Sequence, residues 1–382
     1  MKLDLGAGAV SPEGYTARGN INGTTIYPLP EADGTVDAIR ASHVLEHFPH
    51  RVVPEVIKDW VRALRPGGEL RIAVPDFARI TEDYRAGKYQ PTEGYVMGGQ
   101  TDEADYHKSL FDADHLRRLM AAAGLMMVRP WRSELEDCAA LPISLNLAGI
   151  KPHRSEIAVS AVMSVPRLGF MDNFFAAFEA LPQLRVKLRR VTGAYWGQCL
   201  ERGIEEALRE DDPDAILTLD YDTVFTRRDA ATLMQLMCCH PQADAIAPIQ
   251  AARGKALPLF TVRADGENCG RVPREAFAAD LSRVNTAHFG LTLLSATKLR
   301  QLPKPWFHDV PSASGDWGDG RMDADIAFWR KWEEAGNSLC LANRVAVGHL
   351  DLMVRWPGRD LAAIYQPVGD WRSDGPPENV WQ

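Results

Sequence analysis

No stretch of this chain approaches the roughly 20 consecutive apolar residues that a membrane helix requires. The opening MKLDLGAG reads as a charged strand rather than the apolar core of a signal peptide. The expectation is a cytoplasmic protein with no transmembrane segment. Cysteine is sparse: six in 382 residues (Cys138, Cys199, Cys238, Cys239, Cys269 and Cys340), none spaced as Cys-x-x-Cys. That argues against a disulfide framework or a zinc site, including one at the adjacent Cys238 and Cys239, and for free buried thiols. Basic clusters are missing too, apart from RVKLRR at 185–190, whose alternation reads as a strand with one basic face. With a net charge of −8, nucleic acid is not an expected partner. Internal repeats and low-complexity segments are also absent.

What is present is an ordinary globular composition, 46% hydrophobic and 25% charged, over a length that suggests two domains or more. Short apolar strands alternate with helical patterns from residue 1 to about 130, as in a parallel sheet wrapped by helices. KLDLGAG ends a strand in a glycine turn, TVDAIRAS is a buried strand, and VVPEVIKDWVRAL has helical apolar spacing stopped by RPGG. ELRIAVP, a capped helix DADHLRRLMAAAG and LMMVRPW follow. The polar, proline-bearing stretch 136–155 reads as a connector between a domain at 1–135 and one at 156–355. The second domain begins with EIAVSAVMSV and continues through YWGQCLERGIEEALRE, DAILTLD, RDAATLMQLMCC and ADAIAPIQ. Residues 356–382, rich in Pro, Trp and Asp, read as an ordered C-terminal tail.

The first half carries LDLGAG where a doubly wound sheet lets backbone approach a ligand. Followed by LPEADGTVDAIRASHVLEHFPH and WVRALRPGGELRIAVPDF, it resembles the class I S-adenosylmethionine-dependent methyltransferases, especially a small branch with LEH after the strand counted fourth in that family. The resemblance implies a Rossmann-like fold and S-adenosylmethionine as cofactor. It implies that Asp4, Gly6 and Gly8 hold the methionine part, that Leu29, Asp33 and Asp37 lead into the fourth strand, and that Ser42 and His43 lie at its exit. His43 and His47 read as helix-start histidines bonded to backbone rather than as catalytic groups, and His107 in DYHKSLF is a candidate pocket histidine. One departure stands out. The second strand of such proteins ends in an acidic residue that accepts the cofactor's ribose hydroxyls, whereas here the stretch reads GYTARGNING, with Gly19 in that position and only Asn20 and Asn22 nearby. Charge-assisted bonds are roughly twice as strong as neutral ones. The fold is thus expected with more force than the activity.

In the second half, ILTLDYDTVF ends a strand in Asp-x-Asp. Alternation sends both carboxylates to one side, a geometry suited to Mg²⁺ or Mn²⁺ bearing phosphate oxygens, although the same pattern occurs in solvated turns. With IAVSAVMSVPRLGF, GRMDADIAFWRKWEEAGNSLCL and VAVGHL it resembles the GT-A fold of nucleotide-sugar glycosyltransferases, particularly the inverting family-2-like branch. The resemblance implies that Asp222 and His349 bind the metal and that Asp220 reaches the ribose or the metal through water. It also implies that Asp325 is the general base toward a glycan or other hydroxyl acceptor. Pro166 and Arg167 would frame the base or a phosphate of the nucleotide-sugar donor, with Gln250 and Arg253 near the sugar or diphosphate. Asp323 reads as a helix cap, His349 has a buried structural alternative, and Trp306, Trp317, Trp329 and Trp332 read as core or as sugar-stacking faces. The expected fold class is therefore α/β, a Rossmann-like methyltransferase fold followed by a GT-A-type domain. The expected function is metal-dependent sugar transfer beside a weak or silent methyltransferase-like domain. The alternatives are a bifunctional enzyme and a non-catalytic carbohydrate- or nucleotide-binding scaffold, against which the joint presence of Asp220, Asp222, Asp325 and His349 argues.

Overall fold

The computed structural model describes residues 1–8, 10–19, 22–88, 92–166, 169–252, 260–264, 267–269, 278–318, 320–360 and 362–380, with main chain alone over 261–264 and 267–269. The chain is α/β and divides into two compact units, residues 1–155 with 238–240 and residues 156–237 with 241–382.

The first unit is a six-stranded sheet flanked by helices. Its elements are β1 (Lys2–Leu5), β2 (Tyr15–Arg18), β3 (Val36–Ser42), α1 (Val53–Ala63), β4 (Leu64–Pro75), α2 (Phe77–Arg85), α3 (Thr92–Met97), α4 (Ala113–Ala122), β5 (Met126–Pro130) and β6 (Ser144–Ile150). The sheet order is β2-β1-β3-β4-β6-β5; the first four strands are parallel, and β6 runs antiparallel to both neighbours. Helix α1 buries Val53, Val56, Ile57, Trp60 and Val61, one helical stripe, against a core that includes Leu3, Ile39, Leu70 and Ile72. One sequence expectation changes here. The stretch 136–155 is no mere connector, because β6 lies within it and pairs with β4 along its whole length. The helix does stop just before RPGG, at Ala63, and β4 starts at Leu64 and runs through that stretch.

The second unit comprises β7 (Val159–Val165), α5 (Met171–Ala180), β8 (Lys187–Thr192), α6 (Trp196–Glu210), β9 (Ala215–Asp220), β10 (Thr223–Val224), α7 (Arg227–Cys239), β11 (Ala245–Ile249), β12 (Phe260–Ala264), β13 (Glu267–Cys269), β14 (Leu281–Arg283), β15 (Thr286–Ala287), β16 (Leu291–Ser295), α8 (Ala296–Gln301), α9 (Ala324–Glu334), β17 (Leu339–Ala346), β18 (Gly348–His349), β19 (Met353–Pro357), β20 (Ala363–Pro367) and α10 (Val368–Asp374). Seven strands form one sheet, ordered β14-β17-β11-β16-β9-β7-β8, and β10 pairs separately with β18. Strand β9 is buried on both faces as far as Leu219, which explains its unbroken apolar run. Trp306, Trp329 and Trp332 are core: each is at most 2% exposed and gives its indole N–H to a carbonyl, of Leu302, Ala287 and Ser338 respectively. Cys199, Cys238 and Cys239 are buried and in no disulfide, whereas Cys138 is exposed. Among the described residues no helix is long and apolar enough to cross a membrane.

Candidate functional site

The second unit contains a cavity of about 990 Å³ whose lining includes Pro166, Asp220, Asp222, Gln250, Asp325 and His349. Six residues singled out from widely separated stretches of sequence thus meet in one place. Arg167 and Arg253 lie outside the described residues.

Asp220 is the last residue of β9, and the chain turns through Tyr221 and Asp222 into β10. Strand β10 pairs antiparallel with β18, Thr223 opposite His349, and the Leu350 N–H donates to the Asp222 carbonyl at 2.8 Å. This short ladder brings His349 Nε2 to 3.3 Å from Asp222 Oδ2. The other ring nitrogen, Nδ1, donates to the Ala251 carbonyl at 3.0 Å, so Nε2 is the nitrogen turned toward the carboxylate. Gln250 was expected at the sugar or diphosphate. It lines the cavity, and its amide clamps the ladder, donating to Thr223 Oγ1 at 3.1 Å and to the Gly348 carbonyl at 3.3 Å.

Asp220 is engaged differently from Asp222. Its Oδ1 accepts from the Trp196 indole at 2.6 Å, a donor that sequence reasoning missed, and the Trp196 ring stands edge-on to Phe289 and Phe307. Burial pushes the Asp220 carboxyl up to about 7; the Trp196 bond works against that rise and the Asp222 charge adds to it. Trp196 thus occupies one oxygen of Asp220, which lines the same cavity as Asp222 and His349. The remaining pair, one buried carboxylate and one oriented imidazole, fits an ion such as Mn²⁺ that accepts both donor types and completes its shell with phosphate or water oxygens.

Asp325 sits in the first turn of α9, with burial raising its carboxyl and the charges of Asp323 and Asp309 adding to the rise. Asp323 occupies the N-cap position but makes no capping hydrogen bond. It pairs with Arg321 at 2.8 Å, while Asp309 Oδ1 accepts the Ala324 N–H at 2.9 Å. The capping expectation for Asp323 is therefore corrected: the acceptor comes from Asp309, outside the helix. Trp317 is exposed and lines the cavity, unlike the other three tryptophans considered. His288 also lines it, with Nε2 donating to the Pro248 carbonyl, Nδ1 accepting from Gly290, and burial pulling its pKa down to about 4. It is a neutral structural group.

In the first unit Asp4 is 1% exposed and its Oδ1 accepts from Arg40 at 2.9 Å. Arg40 also pairs with Asp137, whose other hydrogen bonds come from Ser42 Oγ at 2.9 Å and Ser133 Oγ at 2.8 Å. Asp4 and Ser42 are thus joined through one buried cation, while Asp4 Oδ2 is a buried oxygen with no hydrogen-bond partner. Gly6 has φ +67°, and a Cβ there would meet Val44 Cγ2 at 2.0 Å; Gly8 faces open space. The turn after β1 therefore offers bare backbone and one unspent carboxylate oxygen, which fits a bound cofactor. Gly19 follows β2 directly, has φ +138°, and a Cβ there would lie 3.2 Å from Gly6 Cα. An aspartate at 19 would carry that backbone strain, so Gly19 is a packing residue against the turn after β1. Asp33 is an exposed partner of Arg62, and Asp37 pairs with the amino terminus and Arg65, which hold its carboxyl down to about 2. His43 has φ +53°, its Nε2 within 2.9 Å of Ser144 Oγ.

A family model described as a methyltransferase domain matches residues 15–129. The first unit is thus a methyltransferase-like domain in an α/β chain. No curated protein matches the sequence. Among solved structures, A197 from STIV is 14% identical with a TM-score of 0.36, covering 55% of this chain and 94% of its own. A SAM-dependent methyltransferase from Thermotoga maritima, described as a possible histamine N-methyltransferase, is 15% identical with a TM-score of 0.26, covering 39% and 81%. GalNAc-T7, solved with UDP, GalNAc and Mn²⁺, is 14% identical with a TM-score of 0.35, covering 51% of this chain and 44% of that one.

Proposed function

We propose that the second unit transfers a sugar from a nucleotide-sugar donor to a hydroxyl acceptor such as a glycan, on a GT-A-type fold with a divalent ion, Mn²⁺ or Mg²⁺. The observation that carries this reading is that Asp222, His349 and Asp325, from three distant segments, line one cavity. Asp222 and His349 would hold the ion, which when bound supplies charge neutralisation to the departing diphosphate. Asp220, held by Trp196, orients the donor beside that pair. Asp325, its basicity raised by burial, takes the proton from the acceptor hydroxyl as that oxygen bonds to the anomeric carbon and the bond from that carbon to the diphosphate breaks. The nucleoside diphosphate leaves with the bonding pair. The test is nucleotide-sugar hydrolysis or transfer in Mn²⁺, Mg²⁺ and EDTA. Activity is expected to need the ion and to collapse in Asp222→Ala, whereas full activity in EDTA would refute the reading.

The methyltransferase match over 15–129 favours a second reading alongside the first, in which the chain is bifunctional and its first unit moves a methyl group from S-adenosylmethionine to an acceptor. A glycan sugar-modified by one unit and methylated by the other would profit from high local concentration. With Gly19 where an acidic residue would grip the ribose, the cofactor is held through the glycine turn and Asp4. Titration calorimetry with S-adenosylmethionine should therefore give weak binding, and affinity in the micromolar range or tighter would count for a fully working methyltransferase.

A further inference from the structure

A cluster in the first unit belongs to neither chemistry above. After β3 the chain makes a single turn of 3-10 helix, Leu45–His47, which sends Glu46 inward until it is 1% exposed. The segment around His107 is bound to this turn by main chain, Lys108 and Ser109 N–H donating to the Glu46 carbonyl at 2.7 and 3.1 Å. A carboxylate oxygen of Glu46 and one ring nitrogen each of His47 and His107 consequently lie within 4.8 Å of one another. Both imidazoles spend Nδ1–H on backbone, His47 on the Tyr106 carbonyl at 3.3 Å and His107 on the Tyr95 carbonyl at 3.1 Å. That leaves Nε2 as the nitrogen with a lone pair, the outer-shell arrangement that orients metal-binding histidines. Glu46 supplies an independent sign. Both of its oxygens are buried without a hydrogen bond, and the nearest cation-capable group, His43 Nδ1, stands 3.3 Å from Oε1 outside hydrogen-bonding geometry. A buried carboxylate so placed is costly unless a positive charge sits against it.

We infer that Glu46, His47 and His107 form a divalent metal site of the Zn²⁺ class in the methyltransferase-like unit. Two imidazoles and one carboxylate suit Zn²⁺, Co²⁺ or Fe²⁺ rather than Mg²⁺ or Ca²⁺, which favour all-oxygen shells. Three protein ligands leave a coordination position for water or an oxygen-bearing molecule. The site follows the carboxyl end of β3, the side of a parallel sheet on which ligands bind.

The test uses untagged full-length protein carrying Asp222→Ala and His349→Ala, which silences the other proposed metal site, stripped with EDTA and titrated with Co²⁺. One equivalent should bind with a visible ligand-field band, be displaced by Zn²⁺, and weaken about tenfold or more in Glu46→Gln and in His107→Gln. Zn²⁺ should raise the melting temperature of the parent and not of either variant, and His47→Gln serves if one of them fails to fold. No Co²⁺ band in the parent, or equal Co²⁺ uptake and equal Zn²⁺ stabilisation in the variants, overturns the assignment.

Discussion

Asp220→Asn separates what the cavity costs the fold from what it gives to function. The Asp220 carboxyl rises from an ordinary 3.8 to about 7, chiefly because it is buried at the end of β9. A rise of about three on the pH scale corresponds to ~4 kcal/mol favouring the protonated form in the folded chain. The side chain keeps partial access to cavity water, which reduces the expected effect to about 1–3 kcal/mol. The sign follows from proton counting. Below pH 3.8 both folded and unfolded chains hold the proton and nothing is lost; between 3.8 and 7 the unfolded chain releases it while the folded chain keeps it, so stability falls as pH rises and levels off above 7. Asparagine keeps a carbonyl for the Trp196 indole and removes the charge. The variant should therefore match the native chain near pH 4 and exceed it by about 1–3 kcal/mol at pH 8, read from urea unfolding across that range. Turnover of a nucleotide sugar should fall in the same variant. A stability difference that is flat with pH, or a variant less stable at pH 8, would refute the argument.

Asp325→Asn should keep nucleotide-sugar binding and lower turnover by about 10² to 10⁴; equal loss of both would indicate a structural role. Trp196→Phe keeps the ring packed against Phe289 and Phe307 while removing the hydrogen bond to Asp220, and should cost about 1 kcal/mol in urea unfolding at pH 8. Gly6→Ala combines an unfavourable φ with a Cβ 2.0 Å from Val44 Cγ2, and should destabilise the first unit by about 2–4 kcal/mol. Val44→Ala in the same chain should recover part of that loss, and unchanged stability of Gly6→Ala would contradict the geometry.

Much of the architecture was legible because the strands and helices announce themselves by period. The stretch AILTL within DAILTLD is buried on both faces, and VPEVIKDWV carries one clean helical stripe. Strand β6 escaped because its segment opens with polar residues and a proline, and its partner β4 lies far back in sequence. Alternation also put the Asp220 and Asp222 carboxylates on one side, but it could not show that an indole from α6 claims one of them, since that depends on tertiary packing. The bonds of Gln250 to the ladder and the cap supplied by Asp309 were not legible for the same reason: hydrogen-bonding side chains find their partners in space. One signal was available and unused. Arg40 interrupts the apolar strand TVDAIRAS, and a guanidinium in a buried strand demands carboxylate partners, here Asp4 and Asp137.

The two-residue ladder of β10 and β18 has a consequence for the order in which the second unit matures. Gln250 and Gly348, joined across it, are 98 positions apart, so closing the ladder is a long-range event with a large loop entropy. The sheet strands β7 and β9 are both complete by residue 220 and can pair before the ladder's second half has been synthesised. A growing chain thus has the first strand pair of its scaffold well before it has His349. Ion binding by Asp222 and His349 would report that the ladder has closed, and a chain truncated after Ala346 should retain sheet structure while losing that affinity.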